Sequence, residues 1–202
     1  AFGDRLRMFD LARELGAVNL PDHRNEPREY NFPSAKQPAQ PGAPAVAPAE
    51  VAADTGGTID VMVIYTNTAR IQHGGTPQMH AAIDAQVALT NQIYQNSNVI
   101  QRLRLVYKGE VTHTESISDT DLDRVIDPTD GFLDQVPILR DLYAADIVSL
   151  WGNYPDTCGL GSLMANESLA FASVAYNVVN SPACTTGNAA TFAHELGHNM
   201  GL

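Results

Sequence analysis

The chain has 202 residues, 44% of them hydrophobic and 17% charged, with a formal net charge of −11 at pH 7. Only 12 Lys and Arg stand against 23 Asp and Glu, which excludes a protein built to neutralise nucleic-acid phosphates. No apolar run reaches the ~18–20 residues of a membrane span, and the length allows one full core with a small appendage.

The first 57 residues stand apart from the rest. Residues 1–32 open on a short amphipathic helix, with Asp4 as its cap, Leu6, Phe9, Ala12 and Leu15 at helical spacing, and Gly16 to end it. A polar stretch broken by Pro21, Pro27 and Pro33 follows. Residues 33–57, "PSAKQPAQPGAPAVAPAEVAADTGG", are too rich in Pro and Ala to bury a core and suit a semi-rigid linker. Asp4, Arg5 and Arg7 leave no room for the apolar stretch of a secretory leader, and the chain reads as an excerpt of a longer one.

From residue 58 the pattern is that of a folded domain. "TIDVMVIYT" (58–66) has the β-branched content of a buried strand. Thr76-Pro77 opens a helix, in which Met79, Ile83, Val87, Thr90 and Tyr94 recur along one face. "RLRLVYKGEV" (102–111) alternates as a half-exposed strand does. A helix is expected within 131–144, kinked or started by Pro137. Strands are expected at 145–152 and 171–179, with the Gly-rich run "CGLGSLM" between them. A last helix is expected from about Asn188 to Met200. Strands alternating with helices over long connections predict an α/β domain with a mainly parallel sheet. Cys158 and Cys184 are open to two readings: a disulfide, stabilising by about 3 kcal/mol, or two buried thiols.

The chemistry concentrates in the last twelve residues, "TFAHELGHNMGL". His194 and His198 are four apart, so on a helix their imidazoles share a face and can converge on one Zn²⁺. Glu195, beside the first His, can reach a water that the cation polarises and carry its proton to a leaving amine. A random chain of this composition would show HExxH in fewer than about one case in a hundred. Gly201, three residues after His198, can take the positive φ of a tight turn that ends the helix.

"HELGHNMGL" resembles the start of the metzincin motif HExxHxxGxxH. Together with "TIDVMVIYT", "TNQIYQNSNV" and "LRDLYAADIVSLW", it resembles the reprolysin-like branch of zinc metallopeptidases, and within it bacterial enzymes of the peptidyl-Asp metalloendopeptidase type. The resemblance covers residues 58–202. It implies the upper subdomain of a zincin-like fold: a twisted, mainly parallel sheet, packed helices and one antiparallel edge strand. It also implies Zn²⁺ on His194 and His198, Glu195 as general base, and Gly201 as the structural turn. Gly159, Leu160, Gly161, Ser162, Leu163 and Met164 would form the edge strand that receives a protein or peptide substrate in extended conformation. The third His, the lower subdomain and the specificity pocket are expected past Leu202, and residues 1–32 would be the remnant of a pro-region. Secretion, which the resemblance implies, makes the Cys158–Cys184 disulfide the expected state. The implied function is that of a monomeric, secreted zinc endopeptidase made as a zymogen. The alternative is an inactive relative that binds extended peptides.

Other polar groups read as structural. His80 and Asp84 are taken as a solvated pair on a helix face, and His23, His73 and His113 need no role. Trp151, Tyr143 and Tyr176 read as packing. "SDTDLDRVIDPTD" (118–130) lacks the ordered spacing of a Ca²⁺ loop and is expected to be a solvated acidic loop.

Overall fold

The computed structural model describes residues 57–202; the N-terminal helix and all of the linker but Gly57 lie outside the described residues. Five strands form one sheet: β1 (Thr58–Thr66), β2 (Arg102–Val111), β3 (Ile147–Gly152), β4 (Gly159–Gly161) and β5 (Tyr176–Asn180). Their order is β2-β1-β3-β5-β4. β1 pairs in parallel with β2 and β3, β3 in parallel with β5, and β4 alone runs antiparallel, against β5. The expected α/β architecture with one antiparallel edge strand is thus the observed one.

Alternation along β1 builds two cores. Val61, Val63 and Tyr65 face α2 (Thr76–Asn96) and the last helix, α5 (Thr191–Asn199), meeting Met79, Ile83, Tyr94, Phe192 and Leu196. Met62 and Ile64 face the other way, toward Leu122 and Val125 of α3 (Ser118–Ile126) and Val136 of α4 (Gln135–Leu142). A short helix, α1 (Asn67–Gln72), continues directly from β1, capped by the Thr66 hydroxyl, which accepts the Ala69 N–H. With both faces covered, β1 and β3 are apolar almost throughout, as buried parallel strands must be.

The local expectations meet several corrections. Residues 118–126 are helix α3 rather than a solvated loop, because Ser118, Asp121, Leu122 and Val125 form a buried stripe among the exposed acids. Residues 169–174 form a 3₁₀ helix, capped by Ser168, and β5 starts only at Tyr176. The buried face of α2 also takes in Gln86, whose amide donates to the Thr185 carbonyl oxygen at 2.8 Å, while Val87 packs, partly buried, against the same core. α5 starts at Thr191, three residues later than expected. α4 starts at Gln135, placing Pro137 in its first turn, where the missing N–H costs nothing. His80 and Asp84 are not each other's partners: His80 Nε2 meets the Tyr65 hydroxyl at 2.8 Å, and Asp84 holds Lys108 at 2.5 Å. Neither His113 nor His73 is idle, for His113 is buried beside Asp121 at 3.0 Å and His73 Nε2 lies 2.7 Å from Ser181 Oγ.

Candidate metal centre

α5 brings its three metal-ligand candidates together as the spacing predicts. The ligand atoms of His194, Glu195 and His198 all lie within 4.8 Å of one another. The two imidazoles meet edge to face, with ring centroids 4.4 Å apart and an interplanar angle of 77°. Both His are partly exposed, whereas Glu195 is buried. His198 Nδ1 lies 3.2 Å from the Leu202 carbonyl oxygen. That oxygen can only accept, so Nδ1 carries the proton and Nε2 keeps the lone pair a metal needs. Two imidazoles on one helix face are donors that a borderline-soft divalent cation selects, and with the Glu195 carboxylate beside them the residues fit Zn²⁺.

Burial pushes the Glu195 carboxyl up to about 8. A divalent cation beside it acts in the opposite direction by Coulomb attraction. The wall against Glu195 is the edge strand. A Cβ on Gly159 would come within 2.4 Å of Glu195 Oε1, and one on Gly161 within 2.9 Å of the Glu195 carbonyl oxygen.

The end of the helix is fixed from three sides. Gly201 has φ +79° and its N–H donates to the His198 carbonyl oxygen, while Leu202 N–H donates to that of Gly197. This is a Schellman closure, which needs a glycine-like residue at the turn. The Met164 N–H also donates to the His198 carbonyl oxygen, at 3.0 Å. Finally, the buried Asn199 amide donates to the carbonyl oxygens of Ser162 and Tyr176, each at 2.9 Å, and accepts from Asn177 at 2.8 Å. Asn177 accepts in turn from Ser149, whose hydroxyl receives the Trp151 indole N–H at 3.1 Å. Trp151 stacks edge to face on Phe192 of α5, with centroids 5.4 Å apart. So the helix rests on the core at one end and on the edge segment at the other.

Of the six residues expected on the edge, Gly159, Leu160 and Gly161 form β4, and Ser162, Leu163 and Met164 continue beside α5. Leu160 points away, into the core on the α3 side. Cys158 and Cys184 are joined, with Cα atoms 5.4 Å apart, which ties the start of β4 to the loop leading into α5. Sequence reasoning missed Asn199. The available signal was a poor helix former next to a metal-ligand candidate, which requires a tertiary reason for its presence.

The sequence profile of reprolysin-type Metallo-peptidase family M12 matches residues 55–202. The chain is 38% identical over 152 residues to a peptidyl-Asp metalloendopeptidase of Stenotrophomonas maltophilia (strain R551-3), covering 74% of this chain and 34% of that protein. It is 33% identical over 200 residues to a peptidyl-Asp metalloendopeptidase of Xanthomonas campestris pv. campestris, covering 97% of this chain and 46% of the relative. The chain therefore spans between a third and a half of the length of these curated relatives. A chain of a solved structure described as "Structure of a chaperone-substrate complex" is similar at 26% identity and a TM-score of 0.61, over 73% of this chain and 26% of that one. The HELGH helix, the sheet it rests on and the match over residues 55–202 establish that the chain belongs to Metallo-peptidase family M12.

Proposed function

We propose that the chain carries the zinc-binding and substrate-aligning part of an endopeptidase. The observation that carries this reading is the convergence of His194, Glu195 and His198 on one helix, beside an antiparallel edge strand. His194 and His198 would hold the zinc. When bound, zinc supplies Lewis-acid polarisation of the peptide carbonyl and makes an attacking water more acidic.

The rest of the chemistry falls to the chain's own residues. Glu195 takes one proton from the attacking water as its oxygen bonds to the carbonyl carbon, and returns that proton to the amine nitrogen as the C–N bond breaks. The Gly159–Met164 segment aligns the substrate as an added strand through main-chain hydrogen bonds. The substrate is an extended protein or peptide. The relatives' name makes peptides containing Asp the first class to test. The Cys158–Cys184 disulfide supports work in an oxidising compartment, outside the cytosol.

The test uses the full-length protein. One zinc per chain is expected, with peptidase activity lost to a chelator and restored by zinc. Glu195→Gln should keep the zinc and lose about 10²–10⁴-fold in kcat, the usual weight of a general base. Activity that survives complete metal removal would refute the reading, as would a Glu195→Gln chain of undiminished kcat.

A further inference from the structure

The edge strand has a second face, and it points at Glu195. In the sequence Gly159-Leu160-Gly161 the pleat sends Leu160 into the core on the α3 side and turns both glycines toward α5. Their reasons for being glycine differ from that of Gly201. Gly201 has positive φ, whereas Gly159 and Gly161 are outside the left-handed region, so their backbones would accept any L residue. What they provide is room.

The room is shaped to the Glu195 side chain. A Cβ on Gly159 would lie 2.4 Å from Oε1, 2.6 Å from Cγ and 2.7 Å from Cδ, all side-chain atoms. A Cβ on Gly161 would instead meet the Glu195 backbone oxygen at 2.9 Å, Oε2 at 3.3 Å and His198 Cβ at 3.4 Å. The glycine face of β4 thus touches Glu195 from its Cγ to its carboxylate. The strand that offers this face is held rigidly: β4 pairs with β5, Leu160 anchors it below, and the disulfide fixes the residue before it. A flexible carboxylate lying against a fixed wall loses rotamers before reaction rather than during it.

We propose that Gly159 is a positioning residue, whose missing side chain lets the β4 backbone hold the Glu195 carboxylate beside the two imidazoles. The proposal rests on the reading of Glu195 as the proton carrier, and it assigns the edge strand two functions. Its outer edge aligns substrate, and its inner face aligns the general base. One added methyl at Gly159 displaces the carboxylate and leaves the strand backbone free to pair as before.

The experiment compares four full-length chains: the unmodified protein, Gly159→Ala, Glu195→Ala, and the double variant. Zinc affinity, Tm, kcat and KM are measured for each. Gly159→Ala should lower kcat about a hundredfold, the usual cost of misplacing a reacting group by about 1 Å, with KM and zinc affinity unchanged. Its Tm should fall by about 2–4 °C. In the Glu195→Ala background, where the atoms it strikes are gone, the same change should leave Tm where it was. An unchanged kcat would overturn the proposal, and so would a KM increase at constant kcat, which would give Gly159 a role in substrate docking alone. An equal loss of Tm in both backgrounds would overturn it too, by showing that the glycine serves general packing. The Tm comparison needs no peptidase activity. It therefore decides the contact between Gly159 and Glu195 even if the endopeptidase reading itself fails.

Discussion

Asp121 is a carboxylate with no solvent exposure, surrounded by donors. His113 Nε2 lies 3.0 Å away, Arg124 Nη1 3.1 Å, the Tyr154 hydroxyl 3.2 Å and the Ser116 N–H 3.0 Å. Burial alone would raise its pKa. The hydrogen bonds from His113, Ser116 and Arg124, with the charge of His113, outweigh that and hold the carboxyl below its ordinary value. The same Arg124 guanidinium covers the Phe132 ring at 3.9 Å, so the ion pair is closed over by an aromatic side chain. A carboxyl whose folded pKa is depressed stabilises the fold above its unfolded pKa, and that stability is lost as pH falls through the folded value. Asp121→Asn should therefore cost about 3 kcal/mol near neutral pH, the range for breaking a buried pair. The gap to the unmodified chain should begin to narrow as pH drops below about 4, where Asp121 of the unfolded chain takes up a proton, and should keep closing as pH falls toward the lower folded value. Urea titrations at pH 7, 5 and 3.5 would show this; a gap constant across that range would mean that the charge of Asp121 does not matter.

The HELGH helix and the edge segment act as one element, joined by the Asn199 amide, by the Met164 N–H and, through the preceding loop, by the Cys158–Cys184 disulfide. Replacing both cysteines with serine should cost about 3 kcal/mol by restoring freedom to the unfolded chain. Chemical denaturation of the two chains would measure it, and equal midpoints would leave the disulfide without a stabilising role. Parts of this element were legible in the sequence because their signals are local. The four-residue spacing of His194 and His198 sets a helical face, and Gly201 marks a turn that only positive φ closes. β1, β2 and α2 were legible for the same reason, through alternation and through Thr76-Pro77 at a helix start. The anchors were not. Asn199 finds its acceptors 37 and 23 positions away, and Asp121 meets Tyr154 33 positions away, distances at which no periodicity carries information. In α3 the exposed acids hid the buried stripe of Ser118, Asp121, Leu122 and Val125, so composition pointed to a loop where packing makes a helix.

For the molecule as a whole, the strand order β2-β1-β3-β5-β4 grades stability across the sheet. β1 has strand partners on both sides and helices on both faces, with Val61 to Ile64 fully buried. Its amides, and those of β3, can exchange with solvent only when the whole domain opens. β4 is three residues long and lies at the edge, so its amides belong to the least protected end of the sheet. Direction matters there. Ser162 N–H donates inward to the Tyr176 carbonyl oxygen, and by alternation the N–H of Gly161 points out, away from β5. An extended peptide that adds a strand at this edge would bond that outward amide and leave β1 untouched. Hydrogen exchange of the full-length, zinc-loaded Glu195→Gln chain, which should not consume the peptide, can follow both. At a peptide concentration of about ten times Kd, Gly161 exchange should slow by about tenfold, the occupancy-weighted limit for a group protected only in the complex. β1 should show no selective response. Slowing spread evenly over the sheet would indicate global stabilisation by binding elsewhere, and an unaltered Gly161 amide under saturating peptide would remove β4 as the strand on which substrate is laid.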